Sequence, residues 1–148
     1  MIRIQAEPFD PGVELAAFAA RVPGVGAIAS FTGLVRKDSE GSAVFALELE
    51  HYPALTEKTV SAIAEDARAR FALAGLTVVH RHGAMAPGEP IVFVAAAATH
   101  RRAAFDAVDY MMDRLKTEAP FWKREHGPDG ARWIEARAAD VKDRARWG

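Results

Sequence analysis

The segment Thr99-His100-Arg101-Arg102 places consecutive basic side chains at the predicted start of a helix. Each cation there opposes the helix macrodipole by about 0.3–1 kcal/mol, while the unpaired amides of the first turn favour an anion. Both facts are explained if a phosphate or carboxylate binds at this end. The alternative is that Arg101 and Arg102 point outward and pair with surface acids, at little gain or cost. These residues alone leave both interpretations open.

Lys116 and Lys123 lie on either side of the apolar segment Pro120-Phe121-Trp122. Lys116 falls in the last turn of the same predicted helix, where the macrodipole stabilises a cation. Lys123 follows a segment that we expect to be at least half-buried. Burial near other cations lowers the pKa of a lysine toward the range of an acid, base or nucleophile. In the alternative interpretation both lysines are solvated, as most lysines are.

Arg36, after the predicted strand 27–35, is a further candidate, although an arginine there is often only an edge charge. His51, His80 and His82 have no nearby carboxylate that completes a metal site, so we expect no metal there. The chain has no G-x-G-x-x-G, P-loop or G-x-S-x-G motif. The candidate chemistry therefore rests on basic side chains.

The elements that must position these residues follow strand and helix periodicities. Alternating apolar residues predict strands, and apolar residues at three- and four-residue spacing predict helices. The spacing of Ala104, Val108, Met111 and Leu115 predicts a helix from about 100 to 118, with Thr99 as its cap. A short helix is predicted to begin at Asp10-Pro11, and another is predicted over 54–73. The predicted strands cover 1–5, 27–35, 44–52, 76–80, 90–98, 121–126 and 132–136.

Turn residues indicate how these elements connect. The polar segment 37–42 predicts a hairpin between strands 27–35 and 44–52, and the turn 127–130 predicts a terminal hairpin. Gly75 is expected to end the second helix, and 83–89 is expected to be a loop. We therefore predict a single α+β domain over 1–148, a mixed or antiparallel sheet with helices packed on it. The tail after about 136 is left unassigned.

Composition excludes several classes of protein. The chain has 148 residues, 50% of them hydrophobic, which is enough for one core and excludes intrinsic disorder. Its formal charge of −1 provides no broad basic field, so we expect no nucleic-acid partner. The absence of cysteine excludes disulfides, zinc–thiolate sites and a protein persulfide. With no membrane-length apolar run and no signal-type segment, we expect a cytoplasmic protein without a membrane partner.

Taken in chain order, these segments resemble the large, catalytic subunit family of molybdopterin synthase. The final block is the most specific part of the resemblance, and Ala54 stands where the family pattern has glycine after Tyr52-Pro53. The matching segments are Phe31–Arg36, Leu49–Pro53, Thr56–Lys58, His80–Gly83, Pro87–Glu89, His100–Phe105 and Leu115–Glu125.

The resemblance implies an α/β-hammerhead fold and a sulfurtransferase without metal or other cofactor. The substrate would be cyclic pyranopterin monophosphate. The sulfur would arrive as a thiocarboxylate on the C-terminus of a small ubiquitin-like carrier subunit and form the dithiolene of molybdopterin. A chain without cysteine agrees with this, because sulfur must then come from a partner. By resemblance the catalytic residues are Lys116 and Lys123, and the substrate-binding residues are these two together with Leu34, Val35, Arg36, His100, Arg101, Arg124 and Glu125.

The length of the third helix predicts an assembly. His100 and Lys116 would lie about 24 Å apart at 1.5 Å per residue, too far to share a pocket within one chain. A two-fold dimer brings one helix start near the end of its mate. We therefore expect a homodimer with composite sites, and by resemblance a heterotetramer with two carriers.

Two other functions fit parts of the sequence. A non-catalytic dimeric binding module for a phosphorylated metabolite explains Arg36 and the helix start equally well, but it gives Lys123 no task. An RNA-binding domain is disfavoured by the charge balance.

Overall fold

The computed structural model describes residues 1–148 as one α+β domain built on two four-stranded sheets. The α+β class predicted from the sequence is confirmed. The helices are α1 (Pro11–Arg21), α2 (Pro53–Phe71), α3 (Arg101–Glu118) and α4 (Ala138–Ala145). The strands are β1 (Ile2–Gln5), β2 (Ala27–Leu34), β3 (Asp38–Ser39), β4 (Ser42–Ala43), β5 (Ala46–His51), β6 (Gly75–Arg81), β7 (Gly83–Met85), β8 (Pro90–Ala98), β9 (Phe121–Gly127) and β10 (Gly130–Ile134).

The first sheet has the strand order β1-β6-β8-β2 and is covered by helices on both faces. Only the β1–β6 pair is parallel, so the sheet is mixed. Residues of β6 and β8 alternate between a large core shared with α2 and α3, which contains Val78 and Val94, and a smaller core around Phe18 of α1, which contains Val79 and Phe93. Burial on both faces explains why β8 is a continuous apolar run.

The second sheet has the order β10-β9-β5-β7, with all pairs antiparallel. Its inner face contributes Leu47, Leu49 and Met85 to a small core with Val35, at the end of β2. Its outer face leaves Trp122 and Trp133 exposed. The inner face therefore meets the first sheet where β2 ends.

The predicted hairpin between strands 27–35 and 44–52 is wrong. Strand β2 pairs with β8 over its whole length, and β5 pairs with β7 and β9 in the other sheet. The polar segment instead folds back on itself as the two-residue strands β3 and β4. Adjacent alternating segments cannot reveal this, because a longer apolar partner far along the chain buries more of β2. The terminal hairpin is confirmed as β9–β10.

Several helix and loop boundaries also differ from expectation. His100, not Thr99, is the N-cap of α3, and no side chain caps this helix. Helix α2 ends at Ala72 in the left-handed conformation, so Gly75 begins β6 instead of ending the helix. The predicted loop 83–89 contains the short strand β7.

The tail left unassigned by sequence folds as α4 and docks on α3. The indole Nε1 of Trp147 and a guanidinium nitrogen of Arg146 each donate to the Asp113 carboxylate at 2.6 Å. The Trp147 ring also meets Tyr110 edge-on, with centroids 5.5 Å apart. These partners come from α3, about 34 residues earlier in the chain, and no local periodicity reports such a contact.

Gly26 holds the start of β2 against the start of α3. A Cβ built on Gly26 would lie 1.9 Å from the carbonyl oxygen of Thr99. Because that atom is backbone, Gly26→Ala is expected to lower the free energy of unfolding by about 1–3 kcal/mol, measured by urea denaturation.

A matched control for this prediction is Gly12→Ala in α1. A Cβ there would meet only the side-chain oxygen of Asp10 at 3.2 Å. In a helix, alanine is more stable than glycine by about 0.5–1 kcal/mol. Equal stability of the Gly26→Ala protein and the unmodified protein would contradict the close approach.

No helix of the protein is both long and apolar enough to cross a membrane.

Candidate active site

The structure brings Lys116 and Lys123 together. Lys116 lies in the last turn of α3 and Lys123 two residues into β9, with Ala119-Pro120 between the elements. The pKa of Lys123 is lowered to about 8, mainly by burial, with the adjacent Lys116 amine and, to a smaller extent, Arg36 contributing. Lys123 is therefore not the solvated group of the alternative interpretation, whereas Lys116 is exposed.

The register of the second sheet explains the burial of Lys123. Lys123 pairs with Leu49 of β5 on one side and with Ile134 of β10 on the other. Directly paired residues share a face of the sheet, and Leu49 belongs to the small core. The aliphatic stem of Lys123 therefore lies on the inner face of the sheet.

Arg36 is positioned through the backbone of Val35. The Val35 amide donates to the Glu89 carbonyl at 2.9 Å, and the Gly88 amide donates to the Val35 carbonyl at 2.8 Å. The Val35 side chain is buried in the small core, while Leu34 and Arg36 on either side are exposed. The turn before β8 thus fixes where Arg36 leaves the sheet.

The Glu89 carboxylate stabilises that turn. It accepts from the Ala86 amide at 2.8 Å and from the Arg81 guanidinium at 3.2 Å. Arg81 is buried and also donates to the Ala6 carbonyl. The hydrogen bond from the Ala86 amide holds the pKa of Glu89 below its usual value, with Arg81 contributing, so the carboxylate stays charged.

His80 is the residue at this site that sequence reasoning missed. It is buried at the end of β6, and its ring stacks on Phe121 with centroids 4.0 Å apart and an interplanar angle of 11°. The pKa of His80 is lowered to about 4, mainly by burial. The hydrogen bond to the Arg81 carbonyl works against this lowering, and the positive charges of Lys123 and Lys116 contribute to it. The available signal was a histidine in a strand otherwise buried on both faces.

Asp140 of α4 is a second residue beyond the reach of sequence reasoning. Its negative charge partly opposes the lowering of the Lys123 pKa. Its carboxylate is itself paired with Arg137 at 3.3 Å. The tail therefore contributes an acid to the electrostatics of the lysine pair.

Arg124 and Glu125 lie on opposite faces of β9, because side chains alternate along a strand. Arg124 shares the outer face with Glu48, to which it donates at 2.7 Å, and with Trp133. Glu125 shares the inner face with Lys123, and its closest cation is Arg132 at 3.5 Å. Of these two side chains, only that of Glu125 lies on the same face of the sheet as Lys123.

His100 and Arg101 are not brought to the lysines within one chain. They form the N-cap and first residue of α3, both exposed, and Lys116 lies at the other end of the helix. The first turn contains no acidic residue and no side-chain cap. A cationic helix start with free amides thus stands apart from a cationic pocket, and both can bind anionic groups.

The family model described as "MoaE protein" matches residues 4–118, which is most of the chain. The chain belongs to the MoaE protein family. The match includes Arg36, His100, Arg101 and Lys116 and ends before Lys123.

Relatives extend the likeness of this MoaE-family chain over its full length. The "Molybdopterin synthase catalytic subunit" of Caulobacter vibrioides is 53% identical over 147 residues, which cover 99% of this chain and 97% of the relative. The solved "Molybdopterin biosynthesis MoaE protein" from Burkholderia ambifaria is 49% identical with a TM-score of 0.83, covering 100% of this chain and 97% of that one.

A more distant neighbour shares the fold. It is the "protein-protein complex of subunit 1 and 2 of Molybdopterin-converting factor" from Helicobacter pylori, with a TM-score of 0.74 at 21% identity, covering 93% of this chain and 90% of that one. Family membership and the 53% identity over nearly the full chain confirm the expected function. The function is that of a molybdopterin synthase catalytic subunit, and the protein is therefore an enzyme. The non-catalytic binding module is therefore not supported.

Proposed function

We propose that this MoaE-family chain transfers sulfur from the C-terminal thiocarboxylate of a small carrier subunit to cyclic pyranopterin monophosphate. The observation that carries the proposal is Lys123, a half-buried lysine with a pKa of about 8 beside Lys116 and Arg36. Amines in a chain without cysteine can hold anions and move protons, but they cannot carry sulfur themselves.

Each basic group has a distinct task in this proposal. Arg36 holds the substrate phosphate as a permanent cation. Lys116, which is exposed, meets the carrier thiocarboxylate as it enters and stabilises negative charge during attack of its sulfur on the pterin side chain. Lys123 is the proton donor, because a pKa near neutrality suits transfer in either direction.

The two sulfurs of the dithiolene require two rounds of transfer. In each round the sulfur displaces an oxygen from a carbon of the pterin side chain, which leaves pterin and carrier joined as a thioester. Water then hydrolyses the bond between the sulfur and the carrier's carbonyl carbon, so the sulfur stays on the pterin and the carrier leaves with an ordinary carboxylate. The singly sulfurated intermediate stays bound between rounds, which the cationic pocket favours because the phosphate remains attached. Leu34, Val35, Arg124 and Glu125 flank this pocket.

We further propose that the site is completed by a second copy of the chain. Strand β2 is a free edge of the first sheet, and its exposed Phe31 lies beside exposed Phe105 of α3. Strand β2 starts next to the start of α3, since Ala27 pairs with Ala98, and it ends at Leu34, two residues before Arg36. A two-fold antiparallel contact along β2 therefore brings the partner's His100 and the partner's Arg101 toward Arg36.

The carrier is proposed as the other partner, in a heterotetramer of two large and two small subunits. The two-subunit complex of the Helicobacter pylori neighbour supports a small-subunit partner. The thiocarboxylate, the stoichiometry and the cytoplasmic location stay predictions.

The decisive experiment incubates the purified protein with cyclic pyranopterin monophosphate and a thiocarboxylated carrier. We expect a dithiolene product, detected by mass spectrometry after alkylation of the new thiols. A carrier ending in an ordinary carboxylate is the control and should give none. If a competent thiocarboxylated carrier also gives no product, the sulfur-transfer proposal is wrong.

A further inference from the structure

The buried imidazole of His80 has a fixed tautomer. Its Nδ1 lies 2.8 Å from the Arg81 carbonyl oxygen. A carbonyl only accepts, so Nδ1 must carry the hydrogen. Because burial keeps the ring neutral near pH 7, Nε2 carries an unshared electron pair. This nitrogen has no hydrogen-bond partner in the protein.

The orientation of the same ring is fixed against the strand that carries Lys123. His80 stacks on Phe121, and Phe121 lies two residues before Lys123 on the inner face of β9. The positive charges of Lys123 and Lys116 both lower the pKa of His80, so the imidazole belongs to the same pocket. The other titratable group that faces it is His51 of β5, whose Nδ1 is bonded to Thr56.

The Lys123 amine has no hydrogen-bond acceptor that is not already paired with another group. The amine beside it is another lysine, and the acid that acts on it, Asp140, is already paired with Arg137. Neither the Lys123 Nζ nor the His80 Nε2 is among the buried side-chain atoms that lack a hydrogen-bond partner, so both nitrogens reach water. One water molecule that bridges them satisfies the donor and the acceptor together.

We propose that His80 is a positioning residue for Lys123, its Nε2 accepting a hydrogen bond from a water molecule that in turn accepts one from the Lys123 ammonium. This contact directs the remaining N–H groups of Lys123 toward the substrate and favours the protonated amine. The role in turnover rests on the proposed sulfur transfer, but the contact itself is a property of the protein alone.

The test replaces the acceptor while keeping the ring. In His80→Phe the stack on Phe121 is retained and Nε2 is lost. Because a hydrogen bond to the charged form raises the pKa of a lysine, the pKa of Lys123 is expected to fall by about one unit. It is measured by NMR titration of the lysine side-chain carbons in the protein without carrier or pterin.

Two further variants isolate the acceptor. His80→Gln keeps an oxygen acceptor and is expected to hold the Lys123 pKa closer to that of the unmodified protein. His82→Phe makes the same change at the neighbouring imidazole, which lies against His51 and not on Phe121, and is expected to leave the pKa unchanged. In turnover, His80→Phe is expected to lower kcat about tenfold with little change in KM.

An unchanged Lys123 pKa in folded His80→Phe overturns the proposal, even if activity falls, because His80 then acts only through packing. If this variant does not fold, the unmodified protein decides. The nitrogen resonance of His80 Nε2 must shift as Lys123 titrates near pH 8, and a resonance that stays constant there overturns the proposal too. Failure of sulfur transfer alone leaves both measurements intact.

Discussion

Lys123→Ala is expected to lower kcat by about 10²–10⁴-fold, the usual contribution of a positioned proton donor. Burial is the main reason that the pKa of Lys123 lies near 8, and no neighbouring side chain can replace it. Lys116 is more exposed, and Arg36 does not release a proton near neutral pH. The loss should therefore appear in kcat measured with saturating carrier and pterin.

The same lysine sets the expected pH dependence. A group that must donate a proton is active below its pKa, so kcat is expected to fall as pH rises through about 8. This alkaline limb should be absent in Lys123→Arg, because a guanidinium stays protonated over the whole range. That variant keeps the positive charge but not the transferable proton, so its kcat should also be low.

A matched control for both substitutions is Lys142→Ala. Lys142 lies on α4, is exposed, and belongs to no part of the proposed pocket. Its replacement should leave the rate and the pH profile unchanged. Full activity of folded Lys123→Ala, or of Lys123→Arg with its alkaline limb intact, would show that Lys123 transfers no proton in the rate-limiting step.

The sequence is informative about this fold where a signal is local and periodic. The core face of α3 could be predicted from spacing alone, since Ala104, Val108, Met111 and Leu115 are all buried. The partner of β2 could not, because a short polar connection favours a local hairpin while β8 offers a long apolar strand. Strand pairing depends on what both faces can bury, which no single segment contains.

The candidate site divides in the same way. Lys116 and Lys123 could be identified from their spacing around Pro120 and from the family resemblance. His80 and Asp140 could not, since their roles depend on contacts between the two sheets and with α4. A buried histidine with an unpaired nitrogen is recognised only when its neighbours are known, because sequence distinguishes neither its tautomer nor its burial.

Mixing a His100→Ala chain with a Lys116→Ala chain is expected to restore activity that neither has alone. In a mixed dimer with shared sites, one site contains both substitutions and the other contains neither. Each mixed dimer should therefore reach about half of the unmodified activity. The measurement uses dimers isolated with two different affinity tags, assayed with thiocarboxylated carrier.

The structural reason is the separation of the two groups in one chain. His100 and Lys116 lie at opposite ends of α3, about 24 Å apart at 1.5 Å per residue. No side-chain movement closes that distance. In a two-fold contact along β2 the two strands run antiparallel, so the start of the partner's α3 comes near Arg36. As a control, a chain carrying both substitutions, mixed with the unmodified chain, should lose both sites, because each site then lacks one group. Inactive single-substitution mixtures in verified dimers would instead assign each site to one chain.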